Sequence, residues 1–285
     1  MTRLRVGRIP YVNCYPVYGA IDRGIVALDG EMVDGVPTAL NAMMADGALD
    51  VSVVSAVEYA RDAERYLLLP DLAISCDGPV RSVLLFTDRR PQELDGREVA
   101  VSRSSMTSVH LLRLLFENVW KARPTFVPAD SESSDVDHID FKRYPARLVI
   151  GDAALVMRAR HTHIGRDDRA NPLVYDLGFE WKRWTGLPFV FAVWVAQRSA
   201  NTTAALRAHS SLIESRNWGL EHLATLGEQA SVQTGIERAD CVEYLSGLDY
   251  GLSLPHLKGL TSFFGKLAEA GTIVPSELEF LEAAR

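Results

Sequence analysis

Short apolar segments alternate with helical patterns along most of the chain, and this alternation limits the possible folds more than any other feature. The clearest helical segment, 107–120, places Leu112, Phe116 and Val119 on one face. Strands that alternate with helices form parallel sheets with crossover helices, so the sequence predicts an α/β protein. The segments expected to form strands are Leu4–Ile9, Asp50–Ser55, Tyr66–Leu69, Ser82–Thr87, Glu98–Ser102, Thr125–Val127, Arg147–Ile150, Leu173–Asp176 and Phe189–Ala196.

Two segments interrupt this alternation. The first, 87–100, is charged, contains Pro91 and precedes a new strand–helix unit. The second, 185–199, is rich in β-forming residues and is long enough to pass from one domain to another. After Asn201 the pattern is mainly helical. Two crossings of this kind predict two lobes joined by a hinge.

The simplest architecture builds one lobe from both chain ends and inserts the other between them. We expect residues 1–90 and 195–285 to form the first lobe and residues 91–194 to form the second. Each lobe would hold a mostly parallel sheet flanked by helices. Ligands of open α/β sheets bind beyond the carboxyl ends of the strands, so the cleft between the lobes is the expected small-molecule site.

The composition argues against several classes of protein. The chain has 285 residues, of which 47% are hydrophobic and 24% are charged, as in ordinary globular proteins. Its formal net charge of -7 argues against a general nucleic-acid binder, which usually carries a basic face. No segment reaches the ~18 consecutive apolar residues of a membrane span. The segment Met1–Asn13 lacks the apolar core of a secretory signal.

The reactive residues and motifs predict no cofactor and no metal. Cys14, Cys76 and Cys241 are far apart and odd in number, which favours free thiols in a reducing cytoplasm. We expect Cys14 to be a packed thiol rather than a nucleophile. The sequence has no GxG pair, no Walker A motif and no HExxH motif. His161 and His163 form an H-x-H pair without further ligands at metal spacing, so we expect them at the surface.

The turn after the first strand, "RIPYVNCYPVY" from Arg8 to Tyr18, is unusually rich in polar and aromatic side chains. Pro16 suits the first turn of a helix, where its missing N–H costs nothing. Asn13 has two interpretations. It could cap the helix by accepting from the backbone, or it could contact a ligand beside a helix N-terminus that favours anions.

A second strand-to-helix turn, "AVSRSSMTSVHLL", carries four hydroxyl groups within five positions, which exceeds what a helix cap requires. With free backbone N–H groups behind them, these hydroxyls predict a cradle for a carboxylate or phosphate. The four residues are Ser104, Ser105, Thr107 and Ser108.

Two further turns hold candidate site residues. In "VIGDAAL", Gly151 permits close backbone approach, and Asp152 either caps the next helix or serves the site. In "GPVRSVLLF", Gly78 begins a turn, and Arg81 and Ser82 open a strand. Arg81 could neutralise an anion, although a single arginine at a strand start is usually only exposed.

Several of these stretches, taken in order along nearly the whole chain, resemble the chorismate dehydratases of the futalosine route to menaquinone. The resemblance implies the two-lobed fold of the type II periplasmic binding proteins, without a signal peptide. The stretches are "RIPYVNCYPVY", "GALDVSVVSAVEYA", "SMTSVHLL", "VIGDAAL", "DLGFEWKRWTGLPFVFAVW" and "YGLSLPHLKGLTSFF".

The resemblance implies a hydro-lyase that acts on the dianion chorismate. Loss of the ring hydroxyl and the adjacent ring proton would give 3-[(1-carboxyvinyl)oxy]benzoate and water. Because the product is aromatic, the protein would need to supply mainly positioning and local electrostatics. This implied chemistry needs no nicotinamide and no metal. The sequence does not indicate an oligomeric state.

The resemblance also implies which residues meet the substrate. Asn13 would be the key polar residue, with hydroxyl groups from several turns beside it. The proton acceptor stays open between Asp152, the enolpyruvyl carboxylate of the substrate, and water. The implied substrate-binding residues are Ser55, Ser82, Ser105, Thr107, Ser108 and Gly151.

Two alternatives remain at the level of sequence. The sister enzyme of the same route, 1,4-dihydroxy-6-naphthoate synthase, is expected to carry a first turn of the type S-P-C-P-N-D, and this chain has "IPYVNCYP" instead. A non-catalytic solute-binding protein of the same fold, which would deliver a small anion to a transporter, is the second alternative.

Overall fold

Two five-stranded sheets form the framework of the described part of the chain. The computed structural model describes residues 3–103, 105–129, 143–163 and 172–282, without the side chains of 161–163. The first sheet has the order β2-β1-β3-β10-β4 and the second has the order β7-β6-β8-β5-β9. The strands are β1 (Arg5–Arg8), β2 (Glu31–Asp34), β3 (Val51–Ser55), β4 (Tyr66–Cys76), β5 (Val83–Thr87), β6 (Glu98–Ser102), β7 (Thr125–Ala129), β8 (Ala146–Ile150), β9 (Leu173–Asp176) and β10 (Phe189–Gln197).

The two sheets share one topology. In the first sheet β10 runs antiparallel to its neighbours β3 and β4, while β1 pairs in parallel with β2 and β3. In the second sheet β5 runs antiparallel to β8 and β9, while β6 pairs in parallel with β7 and β8. Each sheet therefore holds one reversed strand, and that strand is the one that enters it from the other sheet. The expected mostly parallel sheets are confirmed in this mixed form.

Helices flank both sheets and follow most of the strands. Short 3₁₀ turns lie at Val12–Cys14, Ala63–Arg65 and Pro91–Leu94, and α4 continues into a π-helical turn at Phe116–Trp120. The helices are α1 (Tyr15–Asp22), α2 (Pro37–Ala45), α3 (Ala56–Arg61), α4 (Thr107–Leu115), α5 (Gly151–His163), α6 (Leu177–Thr185), α7 (Thr202–Glu221), α8 (Leu223–Thr234), α9 (Arg238–Ser246) and α10 (Leu254–Glu269). The mainly helical pattern expected after Asn201 is confirmed.

The central strands are buried on both faces because helices cover both sides of each sheet. All residues of β3 and β5 are buried. Around β10, Trp181, Phe189 and Phe263 form edge-to-face aromatic contacts. Trp181 Nε1 donates to the Pro188 carbonyl at 3.1 Å, so the buried indole has its hydrogen-bond partner. This packing fixes the start of β10, where the chain returns to the first sheet.

The sequence predicted nine of the ten described strands, missed β2 and ended β4 too early. It missed β2, an edge strand with the sequence EMVD, because two of its four residues are acidic and its apolar residues are only half-buried. It ended β4 at Leu69, but the strand continues to Cys76. Pro70 and Asp71 interrupt the apolar run, and Asp71 has φ +53. Beside them the register with β10 shifts, as at a β-bulge, and pairing then resumes.

Membership of the sheets suggests a division into lobes that differs from 1–90, 91–194 and 195–285. The strand β5 lies before residue 91 and pairs in the second sheet, and β10 begins before residue 194 and pairs in the first sheet. We therefore propose crossings at 77–82 and 186–188.

Two expectations from the sequence concern groups that the structure does not describe. The first is the hydroxyl of Ser104 in the expected cradle, and the second is the surface position of His161 and His163. His161 and His163 lie in the last turn of α5, and their side chains are not among those described.

Candidate active site

A cleft lies between the two sheets, at the carboxyl ends of β1, β3, β6 and β8. The helices α1, α3, α4 and α5 begin there, and Pro37 at the start of α2 also lines the cleft, so five strand-to-helix turns face a common space. Ser82, in the first crossing, and residues of β4 and β10 complete the wall. The lining residues are Ile9, Tyr11, Asn13, Pro37, Ser55, Ile74, Val80, Ser82, Val83, Ser105, Met106, Thr107, Ser108, Ile150, Gly151, Phe191 and Ala192.

The structure brings most of the predicted site residues together around this cleft. Asp152 is the exception, since it is not among the lining residues. Their contact with a substrate stays a prediction, but their convergence from five segments of the chain is a geometric fact. The predicted residues that line the cleft are Asn13, Ser55, Ser82, Ser105, Thr107, Ser108 and Gly151.

Asn13 does not cap a helix, so that interpretation of it is wrong. It lies inside the 3₁₀ turn Val12–Cys14, and the N-cap of α1 is Cys14, which makes no side-chain capping bond. Pro16 lies in the first turn of α1, as expected. The Asn13 Oδ1 atom is buried and has no hydrogen-bond partner among the described residues. A buried unpaired amide oxygen costs free energy, and because Asn13 lines the cleft, a ligand there can supply the missing donor.

The hydroxyl of Ser82 is held from behind the cleft wall. Tyr244 of α9 donates its Oη proton to Ser82 Oγ at 2.9 Å. Burial raises the pKa of Tyr244, so the phenol stays protonated and remains a donor. The Ser82 hydroxyl can then donate only weakly inside the protein, to the Val80 carbonyl at 3.4 Å. Its proton is therefore available to a ligand in the cleft.

The crossing that carries Ser82 is fixed by charged groups on two sides. The backbone N–H groups of Val80 and Arg81 donate to the Asp176 carboxylate at 3.0 and 2.7 Å. Arg81 has φ +63 and forms an ion pair with Glu243 at 2.7 Å. Arg81 is therefore part of the crossing's anchorage rather than a merely exposed arginine, and it is not among the residues that line the cleft.

Thr107 joins the two sides of the cleft. It is the first residue of α4, and its Oγ1 accepts from the Val57 backbone N–H of α3 at 3.2 Å. The N-cap residue of α4 is Met106, which makes no side-chain capping bond. The Thr107 hydroxyl therefore binds the opposite lobe with its oxygen, and its proton remains for another acceptor.

Gly151 allows the start of α5 to approach the first turn. Its φ is +63, a conformation that favours glycine. A Cβ atom at this position would lie 3.2 Å from ring atoms of Tyr11. The Gly151 N–H donates to the Ser82 carbonyl at 2.8 Å. The close approach of Gly151 to Tyr11 makes the Tyr11 ring part of the cleft wall. The sequence did not single out Tyr11 as a site residue.

Asp152 connects the two lobes beside the cleft. Its Oδ1 accepts from the Val12 backbone N–H at 3.1 Å, and its Oδ2 accepts from Gln233 Nε2 at 2.9 Å. The Gln233 amide oxygen in turn accepts from the Tyr15 hydroxyl. Burial raises the pKa of Asp152, and its two hydrogen bonds oppose that rise. Both oxygens are thus occupied by protein donors, a geometry that favours an interlobe contact over a catalytic base.

The remaining expectations concern thiols, metals and membranes. Cys14 is buried, and burial raises the pKa of its thiol, as expected of a packed cysteine. Within the described residues, no three His, Cys, Asp or Glu side chains are grouped so that they could hold a metal ion. The described helices include none that is long and apolar enough to cross a bilayer.

Comparison with known proteins places this geometry in context. The model of a protein family described as menaquinone biosynthesis matches residues 4–269. The chorismate dehydratase of Thermus thermophilus is 31% identical over 264 residues, which cover 89% of this chain and 94% of that protein.

Solved structures confirm the two-lobed fold. A crystal structure of an Archaeoglobus fulgidus protein superposes with a TM-score of 0.77 at 18% identity, over 95% of this chain and 98% of the other. A Candida albicans protein described as having the generic periplasmic binding protein fold superposes with a TM-score of 0.61 at 14% identity, over 100% and 99% of the two chains.

Proposed function

The chain belongs to the menaquinone biosynthesis family, and from this premise and the cleft we propose that it is a chorismate dehydratase. The reaction is a hydro-lyase elimination. The ring carbon that bears the enolpyruvyl ether loses its proton, and the C–H electron pair becomes a ring π bond. The hydroxyl leaves the neighbouring carbon and departs with a proton as water. The product is 3-[(1-carboxyvinyl)oxy]benzoate, and the step would open the futalosine route to menaquinone.

The observation that carries this proposal is the set of cleft hydroxyl groups whose protons are available to a ligand. The oxygens of Ser55, Ser82 and Thr107 each accept a hydrogen bond from a protein donor. Their protons are thus available to acceptors such as carboxylates, and hydrogen bonds to charged groups are the stronger ones. Thr107 binds Val57, two residues after Ser55, so the hydroxyl groups of Thr107 and Ser55 can hold one carboxylate of a dianion together, while Ser82 is available to the second.

The apolar part of the cleft suits a six-membered ring. Tyr11, Met106 and Phe191 line it between the hydroxyl groups. Such surfaces exclude water, which strengthens the electrostatic interactions of the bound substrate. A ring that carries two carboxylates and one hydroxyl therefore matches the arrangement of apolar walls, hydroxyl donors and the unpaired amide oxygen of Asn13.

For the proton acceptor we propose the substrate's own enolpyruvyl carboxylate. Both Asp152 oxygens already accept hydrogen bonds from Val12 and Gln233. Aromatisation supplies the driving force, so a weak base held close to the ring is sufficient. Asn13 would orient the hydroxyl that leaves. We also propose that the enzyme works in the cytoplasm, since all three cysteines are free and buried.

Neither alternative gains support from a specific observation. The neighbouring binding-protein structures have low sequence identity and show the fold alone. A solute-binding protein could use the same hydroxyl groups and the same amide oxygen, but the relative that is 31% identical to this chain is a chorismate dehydratase. The first turn lacks the residues expected of the naphthoate synthase.

The test is turnover of chorismate by the purified protein in buffer with chelator and no nucleotide, followed by absorbance and by mass of the product. Two asparagine variants sharpen it. Asn13→Ala should leave the melting temperature nearly unchanged, because Asn13 makes no capping bond, and should lower turnover about tenfold or more.

Asn201→Ala is the matched control, with the opposite expectation. Asn201 caps α7, and its side chain accepts from the Ala204 N–H at 2.9 Å. Its loss should cost about 0.5–2 kcal/mol of stability and leave turnover intact. No product from the wild-type protein would refute the proposed function. Normal turnover by Asn13→Ala would remove Asn13 from the site.

A further inference from the structure

Asn41 lies outside the cleft and forms a two-point contact with Ser55. It belongs to α2 and is 3% exposed. The Ser55 backbone N–H donates to Asn41 Oδ1 at 3.2 Å, and Asn41 Nδ2 donates to Ser55 Oγ at 3.0 Å. No other buried amide side chain in the described residues holds both the backbone and the hydroxyl of a cleft residue.

The donor and acceptor roles in this contact follow from the backbone. A backbone N–H can only donate, so the amide oxygen of Asn41 must face Ser55 N. The Asn41 amide nitrogen must then face Ser55 Oγ and donate to it. The Glu58 backbone N–H donates to the same oxygen at 3.2 Å. Both lone pairs of Ser55 Oγ are therefore occupied, and its proton has to be donated elsewhere.

Ser55 lines the cleft, so the cleft is where its proton can find an acceptor. We propose that Asn41 is a positioning residue that fixes the Ser55 hydroxyl as a one-directional donor to an anionic oxygen of the substrate. This inference deepens the proposed function and rests on it, because it takes the acceptor to be a carboxylate of chorismate.

The proposal predicts that a substitution at position 41 alone can change the direction in which the Ser55 hydroxyl donates its proton. In an Asn41→Asp variant, one carboxylate oxygen still accepts from Ser55 N. The other oxygen replaces the amide nitrogen and must itself receive a proton from Ser55 Oγ. The hydroxyl then turns away from the cleft, while the side chain at position 41 keeps its shape.

The experiment is a double-mutant cycle with Asn41→Asp, Ser55→Ala and both together. Calorimetry at about pH 9, chosen because burial raises the pKa of a carboxyl group, measures the Kd of 3-[(1-carboxyvinyl)oxy]benzoate, which is not turned over. Steady-state kinetics with chorismate gives kcat and KM. Each single variant should weaken binding about tenfold to a hundredfold, as expected for a lost hydrogen bond to a charged group. The double variant should bind as weakly as Ser55→Ala and no weaker.

The control is Asn118→Asp, which introduces the same chemistry away from the cleft. Asn118 Nδ2 donates to the Leu114 carbonyl at 2.9 Å, so this variant loses a hydrogen bond but should keep the wild-type Kd. Melting temperatures show that every variant is folded at the assay temperature.

The outcomes separate this inference from the proposed function. If Asn41→Asp weakens binding equally with and without the Ser55 hydroxyl, its effect is general electrostatics or misfolding, and the positioning role is wrong. If Asn41→Asp binds as the wild type does, the role is also wrong while the activity stands. If the wild-type protein neither dehydrates chorismate nor binds the product, the proposed function fails and this inference fails with it.

Discussion

The role of Asp152 can be decided by comparing Asp152→Asn with Asp152→Ala. A catalytic base loses its function in both variants, because neither amide nor methyl takes a proton. An interlobe contact responds differently, because an amide can keep the hydrogen bonds that a methyl group loses. The two substitutions therefore behave alike if Asp152 is the base and differ if Asp152 is an interlobe contact.

In Asp152→Asn, the amide oxygen can still accept from the Val12 N–H, whose distance to Oδ1 is 3.1 Å in the wild type. The amide nitrogen then faces Gln233, which can turn its own amide over and offer an oxygen. The Tyr15 hydroxyl can follow by changing from donor to acceptor. Since burial raises the pKa of Asp152, removal of the charge also removes a desolvation cost. We expect near-normal stability and turnover within about threefold of wild type, since every hydrogen bond retains a partner.

In Asp152→Ala, the Val12 N–H and the Gln233 amide lose their acceptor. A buried donor left without a partner costs about 1–3 kcal/mol. Val12 and Asp152 belong to different lobes, so this cost falls on the arrangement of the lobes that forms the cleft. A cost of that size corresponds to a KM increase of about fivefold to 150-fold. The value of kcat should change far less, because saturating chorismate restores that arrangement.

The assay is steady-state production of 3-[(1-carboxyvinyl)oxy]benzoate over a range of chorismate concentrations, with melting temperatures for each variant. A general base contributes about 10²–10⁴-fold to the rate. If Asp152→Asn loses kcat by that factor while it stays folded, Asp152 takes the proton, and the interlobe interpretation is refuted.

Four other substitutions, in two matched pairs, test hydrogen bonding and packing in the helices behind the cleft and in α10. Tyr244→Phe removes the hydroxyl that donates to Ser82. It should raise the KM for chorismate several-fold and lower the stability by about 1 kcal/mol. Tyr250→Phe is its control, because the Tyr250 hydroxyl is buried without a partner among the described residues and should be dispensable. In α10, Gly259→Ala should destabilise the protein by about 1–3 kcal/mol, because its Cβ would lie 2.1 Å from a backbone carbonyl oxygen of the loop before β10. Gly265 lies in the same helix with open space around it, so Gly265→Ala should stabilise the protein by about 0.5–1 kcal/mol, measured by urea unfolding. Equal effects of the two glycine variants would contradict the close approach of Gly259 to that loop.

Residues that follow a strand directly could be located from the sequence, and residues that support them could not. Asn13 and Gly151 follow predicted strands, and the ends of parallel strands meet at one edge of a sheet. Ser55 ends a predicted strand and was implied as a site residue by the family resemblance. Asn41 precedes its partner Ser55 by 14 residues and shows no pattern of its own. Tyr244 lies 162 residues from the serine that it holds. Such contacts depend on tertiary packing, which periodicity in one sequence does not encode.

The backbone donors at the helix starts modify the expected anion cradle. The sequence argument placed free N–H groups behind the hydroxyls of the turn before α4. At the starts of α3 and α5, three N–H groups already have acceptors within the protein. Val57 N–H donates to Thr107 Oγ1, Glu58 N–H to Ser55 Oγ, and Gly151 N–H to the Ser82 carbonyl. The Val57 and Glu58 groups donate to hydroxyl oxygens, so their donor capacity is passed on through hydroxyl groups whose protons remain available. Substrate anions would thus meet side-chain O–H groups rather than those N–H groups. Specificity for the substrate should therefore depend on the residues that orient the hydroxyl groups as much as on the hydroxyl groups themselves.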